Sequence, residues 1–163
     1  MKKVVVFSDS HSGLSFMRRA IHVLKPDAFI HLGDFYDDGA AIAEENRYLL
    51  SYIVRGNCDW MSCFAEPEEL IVPVFGVRLF LTHGHRSGVK QGTALLEKEA
   101  RSRGADAVLY GHTHRPDCRF EDGLWILNPG TCAHYGGNVA MITINEGKIL
   151  DCRVYSSTEL TAQ

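Results

Sequence analysis

Apolar residues fall into two patterns along the chain, short unbroken runs and helical spacings. Val4 to Phe7 is an unbroken β-branched and aromatic run, the pattern of a strand covered on both faces. Phe16, Ala20, Val23 and Leu24 follow along one face of an expected helix, with Ser12 where an N-cap belongs and Pro26 closing the segment. A second strand is expected over Ala28 to Leu32, a helix over 40–50, and a third strand at Ile53 and Val54. The chain thus begins as parallel β-α-β units.

The pattern then changes. Glu69 to Phe75 and Val77 to Thr82 read as a hairpin joined at Gly76, followed by an amphipathic helix over 89–103 and a buried strand over Ala107 to Tyr110. Leu124 to Leu127, Val139 to Ile144 and Ile149 to Tyr155 read as antiparallel strands, with Asn145 to Lys148 as the turn between the last two. Parallel units first and hairpins later predict an α/β fold of two stacked sheets with helices outside. No linker or repeat divides the sequence, so residues 1–163 are expected to form a single domain.

Composition narrows this little. The chain has 163 residues, 45% hydrophobic and 23% charged, with a net charge of -3. Duplex-DNA and anionic-membrane binding need a basic stripe that this balance does not supply. A small phosphorylated substrate remains compatible. No stretch reads as a targeting segment or a membrane span. Cys58, Cys63, Cys118, Cys132 and Cys152 are odd in number and form no C-x-x-C pair, so reduced thiols and a cytoplasmic location are expected.

Polar residues collect at the strand ends. The first strand is followed by Ser8-Asp9-Ser10-His11, the second by Gly33-Asp34, and the third by Arg55-Gly56-Asn57-Cys58-Asp59. The hairpin ends in Thr82-His83-Gly84-His85, and the next strand in Gly111-His112-Thr113-His114. In open α/β sheets ligands bind at the carboxyl ends of strands. Imidazole, carboxylate and amide donors suit Mn, Fe, Ni, Co or Zn. The candidate metal ligands are Asp9, His11, Asp34, Asn57, His83, His112 and His114. If Asp34 bridges, the seven divide into four donors for each of two ions. Two ions about 3.5–4 Å apart can clamp a phosphoryl group. Spacing alone leaves open whether His112 and His114 chelate one ion or serve one each.

The ordered set D-x-H, G-D, G-N-x-D, H-G-H and G-H-T-H, spanning residues 9–114, resembles the calcineurin-like metallophosphoesterase family, in particular its small single-domain prokaryotic phosphodiesterases. The resemblance implies a four-layer αββα sandwich of two mixed sheets flanked by helices. It implies two divalent metal ions, manganese foremost, with Ni, Fe, Co or Zn as alternatives. One ion would take Asp9, His11, Asp34 and His114, and the other Asp34, Asn57, His83 and His112. A small phosphodiester would be the substrate, and a homodimer is an open expectation.

One position departs from the wider family pattern. Cys58 stands where many members carry a histidine that contacts phosphate and protonates the leaving group. A thiol is a weak donor, so diesters with good leaving groups are favoured over alkyl monoesters. His85 is a candidate for part of the lost acid role. Arg86 and Arg115 are candidate phosphate contacts, and solvated loop arginines are the alternative. His22, His31 and His134 are read as structural or loop residues, and Asp37-Asp38 as a solvated turn. The segment from Trp60 to Glu69, with Met61 and Phe64, is a candidate lid or dimer contact, with packing under a loop as the plainer alternative. Other functions stay open: a metal-binding interaction scaffold like the small retromer subunit, or a phosphatase or nuclease of the same superfamily.

Overall fold

The computed structural model describes residues 1–59, 65–133 and 136–162. Trp60, Met61, Phe64 and His134 lie outside the described residues. Two five-stranded mixed sheets stack face to face. The first has the order β10 (Lys148–Ser156), β9 (Asn138–Asn145), β1 (Lys2–Phe7), β2 (Ala28–His31) and β3 (Leu50–Ile53). Within it β1, β2 and β3 are parallel, while β9 runs antiparallel to β1. The second has the order β4 (Glu69–Val74), β5 (Val77–Thr82), β6 (Ala107–Leu109), β8 (Leu124–Asn128) and β7 (Asp117–Glu121). Its centre, β5-β6-β8, is parallel and its edges are antiparallel.

Alternation along each strand builds the layers. Val4 and Val6 of β1 face Leu79, Leu81 and Leu109 in the core between the sheets. Val5 and Phe7 point the other way, onto Met17, Ile21 and Leu24 of α1 (Leu14–Leu24), Ile42 of α2 (Tyr36–Glu45) and Leu160 of α4 (Ser157–Thr161). Phe80, Val108 and Ile126 pack against Leu96 and Ala100 of α3 (Ala94–Ser102). The result is the four-layer αββα sandwich. Phe7, Phe29 and Phe80 are fully buried, and side chains of this kind contribute ~1.5–3 kcal/mol each when buried.

Three hairpins close with two-residue turns, Phe75-Gly76, Asp122-Gly123 and Glu146-Gly147, each with positive φ at both positions. That geometry matches the twist of paired strands. The tips at Gly76 and Gly147 meet each other. They join the two sheets at the end opposite the strand termini that carry Asp9 and His83.

Several elements differ from the sequence expectation. Ser12 does not cap α1; Gly13 holds that position, and Ser12 has φ 68°. Helix α2 starts at Tyr36, ahead of the expected 40–50, because the Asp59 carboxylate accepts the N–H groups of Phe35 and Tyr36. The expected helix over 89–103 shortens to α3, since residues 84–93 form turns closed by Ser87 N–H to Gly84 O and Gln91 N–H to Gly88 O. Strand β7 was not anticipated: Asp117-Cys-Arg-Phe-Glu121 is a polar edge strand. Leu124 to Leu127 belongs to the sheet opposite β9 and β10, and pairs parallel with β6. Among the described residues no helix is long and apolar enough to cross a membrane.

Candidate metal centre

The loops after β1, β2, β3, β5 and β6 converge at one end of the sandwich. The ligand atoms of Asp9, His11 and His114 all lie within 4.8 Å of one another, and those of Asp34, His83 and His112 do the same. The two groups adjoin: His83 Nε2 is 3.4 Å from Asp34 Oδ2 and 3.8 Å from Asp9 Oδ1. His112 and His114 therefore fall in different groups. Asn57 is exposed after β3, with its amide nitrogen 3.5 Å from the Cys58 sulfur.

Five of these donors sit on strained backbone. Asp9, His11, Asp34, His112 and His114 have φ of 53°, 40°, 56°, 66° and 58°. Left-handed backbone at a non-glycine residue costs ~1 kcal/mol or more and persists where its surroundings over-determine it. Those surroundings are visible. Asp59, 3% exposed, accepts from the N–H of Asp34 and Gly56 on one oxygen and of Phe35 and Tyr36 on the other. Asn128 donates to Gly111 O and Thr113 Oγ1 while accepting from Gly130 N–H. Thr131 Oγ1 donates to the Asp9 carbonyl at 2.8 Å. Two glycines permit close approach: a Cβ at Gly56 would stand 2.2 Å from Asp34 Oδ1, and one at Gly111 1.9 Å from Ser8 Oγ.

A second layer lies beneath. His31 is fully buried, its Nδ1 accepts from Gly33 N–H, and its Nε2 donates to Ser10 Oγ at 3.0 Å. Ser10 Oγ donates in turn to Asp38 Oδ2, which also accepts Ser12 N–H. Asp38 is thus a buried part of the scaffold, not a solvated turn residue, because two donors satisfy its carboxylate. Burial pushes the His31 pKa down to about 4, so the ring is neutral.

The donor chemistry fits divalent cations. Asp9 Oδ2 accepts from Ser8 Oγ and His112 N–H, while the buried Oδ1 takes no hydrogen bond of good geometry among the described residues and stands 3.1 Å from His114 Nε2. His83 donates from Nδ1 to the Leu32 carbonyl at 2.8 Å, which turns a buried, unpartnered Nε2 toward both carboxylates. One hydrogen-bonded imidazole nitrogen and one free one is the arrangement of a ligating histidine. Burial pushes the Asp34 carboxyl up, but His83 and the Cys58 N–H outweigh it and hold it well below the usual range. Burial lowers His83, yet Asp34 and Asp9 outweigh it and raise its affinity for positive charge. Burial, then His83 and Lys90, lower His112.

The remaining candidates surround this centre. The His85 ring lies 5.6 Å from that of His83 and 6.1 Å from that of His112, with its Nδ1 buried and unpartnered. Cys58 is exposed, and its N–H donates to Asp34 Oδ1. Burial and then Asp34 push its thiol up to about 11. Arg86 is bound by Glu68 at 2.7 Å, and Arg115 is exposed beside His114. The sequence reading gave Asp59, Asn128 and Asp38 no supporting role: Asp59 enters only through the G-N-x-D pattern, and Asp38 only as a solvated turn residue. Phe35, exposed and with φ 73°, also borders the site, its ring 5.0 Å from that of His11.

A sandwich with two such donor groups at its strand ends is a metal-binding α/β fold. The model of the calcineurin-like phosphoesterase superfamily domain matches residues 1–147, and the chain belongs to that superfamily of hydrolases. The probable metallophosphoesterase YsnB of Bacillus subtilis is 32% identical over 132 residues, 78% of this chain and 73% of that protein. A phosphodiesterase of Methanocaldococcus jannaschii is 30% identical over 157 residues, 87% of this chain and 91% of its own. Vacuolar Protein Sorting 29 of Cryptosporidium parvum shares the fold at 17% identity, with a TM-score of 0.72 over 95% of this chain and 97% of that one.

Proposed function

We propose that the protein is a metal-dependent phosphodiesterase acting on small diesters. The observation that carries this reading is the adjoining pair of donor groups with unpartnered buried Asp9 Oδ1 and His83 Nε2. Asp9, His11, Asp34 and His114 would hold one ion, and Asp34, Asn57, His83 and His112 a second, with Asp34 shared. Bound there, a divalent ion (manganese first, with Ni, Fe, Co or Zn as alternatives) would supply a nucleophile at neutral pH and would stabilise charge on phosphoryl oxygens.

The chain's own residues do the rest. Asp59, Asn128 and Thr131 hold the donor loops in their strained shapes, so that little reorganisation accompanies binding. Cys58 presents a neutral thiol beside Asp34, a weak hydrogen-bond donor. With so poor an acid, diesters with good leaving groups are favoured over alkyl monoesters. His85 is the nearby imidazole that shares the task of assisting the leaving group. Arg86 is engaged by Glu68, which leaves Arg115 as the freer arginine for phosphate oxygens. The net charge of -3 supports a small substrate over duplex nucleic acid or a membrane surface. A cytoplasmic location and a homodimer belong to the same proposal.

The likeness to Vacuolar Protein Sorting 29 favours a second reading, an interaction module on the same fold; the presence of all seven candidate donors in the sequence argues for catalysis. Metal-stripped protein assayed on bis(p-nitrophenyl) phosphate and p-nitrophenyl phosphate, with and without manganese, separates the two. Manganese-restored hydrolysis favouring the diester is expected. Bound manganese with neither ester hydrolysed would overturn the enzymatic reading.

A further inference from the structure

Beside the candidate metal centre a cleft of about 590 Å³ runs between the 84–93 loop and the His112–Asp117 segment. Its walls carry Lys90, Gln91, Tyr110, Thr113, Arg115 and Asp117. Thr113 and Arg115 flank His114 in the chain, so the cleft borders the loop that carries His112 and His114. Lys90 lies near enough to His112 to act on it electrostatically.

The loop that presents Lys90 is pinned. Ser87 N–H and Val89 N–H both donate to the Gly84 carbonyl. Val89, 5% exposed, packs in the core beside Leu96 and Tyr110. Burying Val89 sets its neighbours Lys90 and Gln91 at the cleft wall.

Charge in the cleft is unbalanced. Asp117 is its carboxylate, and that charge is already engaged by the Tyr110 hydroxyl at 2.9 Å and by Arg119. Arg119 also binds Glu97 and Glu121. Lys90 and Arg115 are both exposed. Neither has a carboxylate within ion-pair distance among the described residues, unlike Arg86, Arg103 and Arg119. Two unmatched cations in a concave wall concentrate anions there.

We propose that this cleft, beside the loop that carries His112 and His114, is an anion subsite in which Lys90 and Arg115 hold a second phosphate or carboxylate carried on the ester arm of the substrate. The inference rests on the phosphodiesterase reading for its choice of ligand. It narrows the substrate class to phosphodiesters with an additional negative group, such as a nucleoside diester with a further phosphate one sugar away. Gln91 and Thr113 add neutral hydrogen-bonding groups, and the guanidinium suits a planar or tetrahedral oxyanion.

The test is calorimetric titration of manganese-loaded protein with thymidine 5′-monophosphate and thymidine 3′,5′-bisphosphate. The bisphosphate is expected to bind about tenfold tighter, the size of one charge-assisted contact. That advantage should vanish in the Lys90→Met/Arg115→Met double variant and persist in Lys90→Arg/Arg115→Lys. Equal affinities in the wild type, or an advantage that survives the double methionine variant, would overturn the subsite. Because binding is read without turnover, loss of the subsite is distinguishable from failure to hydrolyse bis(p-nitrophenyl) phosphate, which would count against the phosphodiesterase reading itself.

Discussion

The Asp59 carboxylate accepts the backbone N–H of Asp34 at 2.9 Å. The same oxygen accepts Gly56 N–H at 2.7 Å, and the other takes Phe35 and Tyr36 N–H. One side chain after β3 thereby shapes the loop after β2 and starts α2. Replacing Asp59 with Ala leaves buried donors unmatched, each costing ~1–3 kcal/mol. Asp59→Ala is expected to lose ~3 kcal/mol of stability in urea unfolding. It should also weaken metal retention by about tenfold or more in a chelator competition, the usual scale for a residue supporting a ligand. Unchanged metal retention in a folded variant would show that Asp59 only caps the helix.

Gly111 tests the close packing of the centre. A Cβ there would lie 1.9 Å from Ser8 Oγ and 2.8 Å from Asp9 Oδ2. Both atoms belong to the hydrogen bond that frees Asp9 Oδ1. Gly111→Ala is expected to destabilise the fold by ~1–3 kcal/mol and to lower bound metal, read by urea unfolding and by metal analysis of dialysed protein. Wild-type values for both would contradict this packing.

His31 predicts a pH dependence. Its pKa falls from 6.5 to about 4 on folding, through burial. Above 6.5 both states hold a neutral ring. As pH drops through the window between the two values, the unfolded chain binds the extra proton and stability is lost. The loss is complete below about 4. At 1.36 kcal/mol per unit, this one residue accounts for ~3 kcal/mol. Urea unfolding of chelator-treated protein between pH 7 and 4 should show a steeper decline in the wild type than in His31→Gln, whose amide can replace both hydrogen bonds. Equal slopes would refute the assignment.

The proposed preference for diesters rests on Cys58. Cys58→His supplies a proton donor that the thiol does not, and general acid catalysis contributes ~100-fold or more where it operates fully. The ratio of p-nitrophenyl phosphate to bis(p-nitrophenyl) phosphate hydrolysis is expected to rise about tenfold in the variant, allowing for an unoptimised position. An unchanged ratio would remove the lost acid as the cause of the preference.

The six donors that the structure groups, Asp9, His11, Asp34, His83, His112 and His114, stood out in the sequence because each follows an apolar strand. Two stacked sheets with helices outside were legible from the strand pattern, as in Val4-Val5-Val6-Phe7 and Ala107 to Tyr110, and the resemblance implied the four-layer αββα order. What stayed hidden depends on contacts remote in sequence. Asp59 caps a helix 23 residues earlier, and Asn128 steadies a loop 17 residues before it. Asp38 looks solvated until Ser10 and Ser12 are folded onto it. Strand β7 is polar because it lies at a sheet edge, so no apolar period announces it. Residues 89–93 lie within an apolar spacing that suggests helix, yet Gly88 and Gly92 take positive φ and Val89 anchors a turn.

The central claim is that the two donor groups act together on a phosphodiester. Its most direct test is a titration of manganese into metal-stripped protein, recording bound metal per chain and bis(p-nitrophenyl) phosphate hydrolysis at each step. Two ions per chain, with activity rising as the second binds and lost in Asp34→Asn, is the expected result. Full activity with one ion per chain, or two bound ions with no hydrolysis, would contradict it.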